Sequence, residues 1–165
     1  MKVKFQGQEV KLVDEVKKVG DKAPEVTLVA KDLTEVKVGG AQGVYQVINV
    51  MPSLDTPVCA LQARTFNKKA AGLPNTKVFA VSMDLPFAQG RYCTTEGIEE
   101  LVVLSDFREK NFGKAYGMLI AEGALQGILT RGVIVVNPKG EIVYQEICDE
   151  ITSEPDYEAP LKHIQ

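Results

Sequence analysis

The sequence predicts an α/β fold, a mixed central sheet with helices on both faces, from three observations. The apolar runs Val44–Val50 and Val78–Met83 flank a stretch with helical spacing, which is the order of a parallel βαβ unit. Alternating residues around Gln6-Gly7-Gln8 describe an N-terminal β-hairpin. Val133–Val136 and Ile142–Tyr144, separated by Asn137-Pro138-Lys139-Gly140, form an antiparallel pair at one side.

Along the chain, Val3, Phe5, Val10 and Leu12 alternate loosely through the hairpin, and Val26–Val29 is a strand after Pro24. Thr34–Val38 alternates polar and apolar residues as an exposed strand does, and Gly39–Gly43 is a turn. That glycine run matches neither a dinucleotide nor a phosphate-loop pattern, because no helix follows it. After Val44–Val50 comes a helix carrying Ala60, Leu61, Ala63, Phe66, Ala70 and Ala71, stopped at Gly72-Leu73-Pro74-Asn75. Asp84-Leu85-Pro86 opens a second helix, which carries Phe87, Ala88, Tyr92 and Cys93 before Gly97. Leu101–Leu104 is a short strand and Arg108–Tyr116 a short helix. Ser153-Glu154-Pro155-Asp156 reads as the start of a closing helix over Tyr157–Ile164. No repeat, low-complexity stretch or linker divides residues 1–165, so one domain is expected.

Composition narrows the function. With 165 residues, 45% of them hydrophobic, the chain has material for a real core. Nineteen basic and 22 acidic residues give a net charge of -3, spread along the chain, which argues against nucleic acid and membrane surfaces as partners. Glu9 and Lys11 interrupt any apolar leader, and the uncharged stretch Val38–Leu54 holds too many glycine and amide residues to span a bilayer. A cytoplasmic protein is expected. Three cysteines, Cys59, Cys93 and Cys148, are too few for a disulfide scaffold, and no pair has Cys-x-x-Cys spacing. With His163 as the single histidine, a zinc site is not expected.

Cys59 stands out by position. In Thr56-Pro57-Val58-Cys59, Thr56 suits a helix N-cap and Pro57 the first helical position, so Cys59 falls in the first turn. Unpaired N–H groups and the positive end of the helix dipole stabilise a thiolate there. The turn also follows the carboxyl end of a parallel strand, where α/β sheets place their sites.

The residues Pro52, Thr56 and Cys59 form Pro-x-x-x-Thr-x-x-Cys, and the fuller Pro-Ser-Leu-Asp-Thr-Pro-Val-Cys resembles the active-site segment of peroxiredoxins, in their thiol peroxidase branch. Leu28–Leu33, Asp84–Gln89 leading to Arg91 and Cys93, and Asp149–Thr152 leading to Glu154–Tyr157 resemble the same branch. The resemblance spans essentially the whole chain and implies a thioredoxin-like fold. It implies that Cys59 attacks a hydroperoxide and becomes a sulfenic acid, with Thr56 hydrogen-bonding thiolate and peroxide and Pro52 shielding the site. Arg131 sits where the family has the arginine that holds the thiolate and polarises the peroxide; Arg64 and Arg91 are expected on solvated helix faces. Cys93 matches the resolving cysteine, which would close an intramolecular Cys59–Cys93 disulfide after local unfolding, since disulfides need Cα atoms within about 7 Å. A reaction without metal or organic cofactor, a thioredoxin-like reductant and a homodimer are further implications.

Two positions depart from the pattern. Met51 stands where many relatives carry an aromatic or β-branched residue and is expected to give a softer, oxidisable pocket wall, and Cys148 matches no motif and is expected to be structural. A redox-sensing or holdase-type protein using the same switch is the alternative, and both readings need a reactive Cys59.

Overall fold

The computed structural model describes residues 1–70 and 72–164. Strands β1 (Lys2–Phe5) and β2 (Gln8–Lys11) pair antiparallel around a turn in which Gln6 and Gly7 both have positive φ, 52° and 83°. That geometry matches the twist of a two-residue hairpin. The hairpin is strapped to residues 149–151. Lys4 N–H donates to the Asp149 carbonyl at 2.6 Å, Ile151 N–H to the Lys4 carbonyl at 2.8 Å, and Gln6 and Gly7 N–H to the Glu150 carboxylate.

The main sheet, seven-stranded among the described residues, is built from β3 (Val26–Ala30), β4 (Glu35–Val38), β5 (Tyr45–Val50), β6 (Thr76–Ser82), β7 (Val102–Ser105), β8 (Gly132–Val136) and β9 (Ile142–Ile147). Their order is β4-β3-β7-β6-β5-β8-β9, with β5, β6 and β7 parallel and the flanking strands antiparallel. The centre is buried on both faces, as the unbroken apolar runs require. Val47, Val78, Ala80, Val103, Val133 and Val135 pack under helices α1 (Pro57–Ala70) and α2 (Pro86–Glu96), with Ala63, Phe66 and Cys93. Ile48, Val50, Phe79, Val81, Leu104 and Ile134 point to the opposite face, against Phe112 and Tyr116 of α3 (Asn111–Tyr116).

Two expected helices are shorter. Instead of Arg108–Tyr116, α3 begins at Asn111, because Lys110 takes a left-handed conformation (φ 56°) and the buried Asp106 carboxylate accepts the Phe112 and Gly113 N–H groups from outside the helix. The closing helix over Tyr157–Ile164 is instead a 3₁₀ turn, Ala159–His163. Pro160 lacks the N–H that an α-helix from Tyr157 needs there, and the Asp156 carboxylate accepts the Glu158 and Ala159 N–H groups at the start of the turn.

The site is fixed by register. Val50 at the end of β5 pairs with Val81 on one side and Gly132 on the other. Met51 N–H continues the ladder to the Val81 carbonyl at 3.1 Å. The chain leaving β5 therefore runs between Ser82 of β6 and Arg131 before β8.

Candidate active site

The segment Pro52–Thr56 connects β5 to α1 and has no ladder of its own, so its polar groups need partners. Asp84, two residues past β6, supplies them. Its Oδ1 accepts from Ser53 Oγ at 2.7 Å, and its Oδ2 accepts from Leu54 N–H and from Ser82 Oγ, both at 2.7 Å. Pro52 is buried beneath this turn.

Helix α1 starts at Pro57, so Cys59 is its third residue, as expected. The Thr56 carbonyl accepts the first helical bond, from Ala60 N–H at 2.9 Å. Its hydroxyl does not cap the helix, however; it donates to the Ser53 carbonyl at 3.0 Å. The proton of Thr56 is thus committed to the Ser53 carbonyl. Cys59 has no exposed surface and belongs to the apolar cluster under α1 and α2. Met51 is equally buried there, so it forms core and not the soft pocket wall expected of it.

Arg131 is the other half of the arrangement. It is 3% exposed, donating from Nε to the Ile151 carbonyl at 2.6 Å and from Nη1 to Gln62 Oε1 at 3.0 Å. Gln62 lies three residues beyond Cys59 on α1, hence on the same helix face. The structure therefore fastens the guanidinium to the helix that carries Cys59. No ion pair involves Arg131 among the described residues, so its positive charge is not neutralised by a carboxylate. Arg64 pairs with Glu96 at 3.6 Å and Arg91 is exposed, both on solvated faces as expected.

Facing the mouth of this turn is an open cleft of about 840 Å³, with Ser53, Thr56 and Ala60 on one side and Asp84, Arg91 and Tyr92 of the β6–α2 region on the other. Tyr92 closes its floor by donating from its hydroxyl to the Ala60 carbonyl at 3.1 Å. Cys93, on the inner side of α2, is 4% exposed, and burial raises its thiol above the usual cysteine range despite the charge of Lys31. Cys59, Cys93 and Cys148 are all free thiols. Cys148 follows β9, its N–H donating to the Arg131 carbonyl at 3.0 Å, and burial pushes its pKa up to about 11.

Sequence reasoning singled out Cys59, Thr56, Pro52 and Arg131; Pro52 and Thr56 lie in the segment joining β5 to α1, Cys59 in the first turn of α1, Arg131 is tied to α1 through Gln62, and Cys93 is buried on the inner side of α2. That reasoning missed Gln62 and Asp84. The first could have been found by its helical spacing from Cys59, the second by its place after a parallel strand.

A buried cysteine in the first turn of a helix, after a central parallel strand and on a helix to which a buried arginine is bonded, defines a class: cysteine-based oxidoreductases on a thioredoxin-like sheet. Comparison with known proteins narrows it. The Redoxin family model matches residues 18–161. A thiol peroxidase of Campylobacter jejuni is 54% identical over 93% of this chain and 87% of its own length. One from Aquifex aeolicus is 47% identical over 99% of this chain and 96% of its own. The crystal structure of a peroxiredoxin-like protein from Aquifex aeolicus superposes with a TM-score of 0.95 at 47% identity, covering 98% of this chain and 94% of that one. A thiol peroxidase from Chromobacterium violaceum, at 21% identity and a TM-score of 0.88 over 98% of this chain and 94% of that one, shares the fold. The chain belongs to the Redoxin family and, within it, is a peroxiredoxin-type oxidoreductase of the thiol peroxidase group.

Proposed function

We propose that the protein reduces hydrogen peroxide and organic hydroperoxides by a two-cysteine cycle. The observation that carries this reading is the seating of Arg131 on the helix of Cys59 through Gln62. The Cys59 thiolate attacks one oxygen of the hydroperoxide. The O–O bond breaks, the sulfur becomes a sulfenic acid, and the other oxygen leaves as water or an alcohol after taking up a proton. The un-neutralised guanidinium stabilises negative charge on both thiolate and leaving oxygen. Thr56, whose own proton is given to Ser53, accepts the hydroperoxide O–H, and buried Pro52 keeps water from the sulfur.

Cys93 then attacks the Cys59 sulfenic acid, forming the Cys59–Cys93 disulfide and releasing water. Both thiols are buried, so the first turn of α1 and part of α2 unfold for this step. A thioredoxin-like dithiol reduces the disulfide and is itself oxidised, returning two thiols. The cycle uses no metal or organic cofactor. Residues 1–165 work as one domain in the cytoplasm, as a homodimer. Exposed Phe87 and Phe107, which follow the ends of adjacent strands β6 and β7, support pairing at that end of the sheet.

Peroxide consumption with a reducing dithiol protein tests the cycle. Cys59→Ser abolishes turnover, and Cys93→Ser stops after one equivalent with a trapped sulfenic acid. Turnover surviving in Cys59→Ser refutes the mechanism. Wild-type protein that consumes a single equivalent is the mark of a sensor instead, and a disulfide formed in Cys93→Ser gives the resolving role to Cys148.

A further inference from the structure

The hydrogen bonds around Asp84 do not stop at the Cys59 segment. Ser82 Oγ, which donates to Asp84, accepts in turn from Gln89 Nε2 at 3.1 Å, and Gln89 Nε2 also donates to the Leu104 carbonyl at 2.8 Å. Gln89 is fully buried on α2, four residues before Cys93 and so on the same helix face. One continuous set of bonds thus runs from Ser53 and Leu54 through Asp84 and Ser82 to the helix of Cys93. No basic side chain pairs with Asp84 among the described residues. Its charge is held by the two serine hydroxyls and the Leu54 N–H alone, charge-assisted bonds that are each roughly twice as strong as neutral ones.

Disulfide formation demands that the segment before Cys59 and the helix of Cys93 both leave their places, and both are tied to this carboxylate. We infer that Asp84 is a positioning residue: it clasps the Cys59 segment in its peroxide-reactive arrangement and sets how fast that segment yields to Cys93. This rests on the two-cysteine cycle proposed above. The clasp makes opposite demands on the two chemical steps. A tight clasp keeps Thr56 and the helix N-terminus around the thiolate and favours oxidation. A loose one frees the sulfenic acid to reach Cys93.

The test separates the two rates in the full-length protein, with hydrogen peroxide as oxidant. The second-order rate of Cys59 oxidation is read in a Cys93→Ser background by trapping the sulfenic acid. The first-order rate of disulfide formation is read with Cys93 present by mass mapping of thiols. Asp84→Asn, which loses the charge and one acceptor oxygen, is expected to slow oxidation about tenfold and speed disulfide formation about tenfold. Ser53→Ala removes one of the bonds to Asp84, together with the Asp55 N–H bond to Ser53 Oγ, leaves α2 untouched, and moves both rates the same ways by about threefold; it serves if Asp84→Asn folds poorly. Less sulfinic acid forms at excess peroxide in both. A folded variant whose rate ratio stays within twofold of wild type overturns the clasp, as does a parallel fall of both rates. Wild-type protein that forms no Cys59–Cys93 disulfide overturns the cycle itself, whereas a normal wild-type cycle with unaltered variant ratios sinks the clasp alone.

Discussion

Replacing Gln62 with leucine should injure activity more than stability, and the structure sets both sizes. Gln62 Oε1 is the acceptor for a buried guanidinium N–H at 3.0 Å. Losing it leaves a charged donor unpaired, at about 1.5–3 kcal/mol. Gln62 Nε2, however, is itself buried without a partner, and removing that orphan returns about 1–2 kcal/mol. The net destabilisation is about 1 kcal/mol, a fall in Tm of roughly 2–4 °C for a chain of this size. Oxidation of Cys59 suffers more, because Arg131 is then held by the Ile151 carbonyl alone and its charge is no longer fixed to α1. A loss of roughly tenfold to a hundredfold, about 1.4–2.8 kcal/mol of transition-state stabilisation, is expected. Stopped-flow oxidation by hydrogen peroxide gives the rate and thermal unfolding the stability. A double-mutant cycle with Arg131→Met isolates the coupling, since Gln62→Leu should cost nothing further once the guanidinium is gone. An unchanged rate in Gln62→Leu, or an equal loss in the Arg131→Met background, refutes the argument.

Alkaline pH should weaken the fold through Cys148. Its folded pKa of about 11 lies above the ordinary thiol value of 9.0, so the stability it contributes is complete below pH 9 and is lost as pH rises toward 11; Cys148→Ala should flatten that part of a pH series of denaturant melts, and an unaltered slope would show that other groups carry it. Gly39→Ala should prevent stable folding or lower Tm by well over 10 °C, because Gly39 has φ 81° and a Cβ would lie 2.0 Å from the Pro24 carbonyl and 2.3 Å from the Tyr116 hydroxyl. A near-native melting curve would mean that the loop rearranges freely.

What the sequence revealed follows from the range of the forces involved. Strands β5, β6 and β8 are written in β-branched runs whose burial needs only local pattern, and the Pro57 helix start is a local steric preference, so both were legible, whereas the side-chain cap expected of Thr56 was not formed. Arg131 could be matched to a motif, but its seat could not be read. Gln62 and the Ile151 carbonyl lie 69 and 20 residues away in sequence and meet it only when β5 and β8 pair. The closing helix failed on local grounds that were visible: Pro160 sits inside the range assigned to it. Asp84 was read as a helix start because the bond from Leu54, 30 residues earlier, exists only in the assembled sheet.

The strap between the N-terminal hairpin and residues 149–151 has a consequence for biosynthesis. The Ile151 carbonyl that seats Arg131 is presented by a segment whose neighbouring backbone bonds go to Lys4. A growing chain can complete β5, α1 and β6, and with them the turn around Cys59, long before residues 131 and 151 have been made. Such a nascent molecule has Cys59 in place but not the Arg131 guanidinium that is bonded to its helix. In the cycle proposed above, peroxide chemistry would thereby be withheld until the last part of the chain has joined the first, sparing unfinished molecules oxidation of that cysteine.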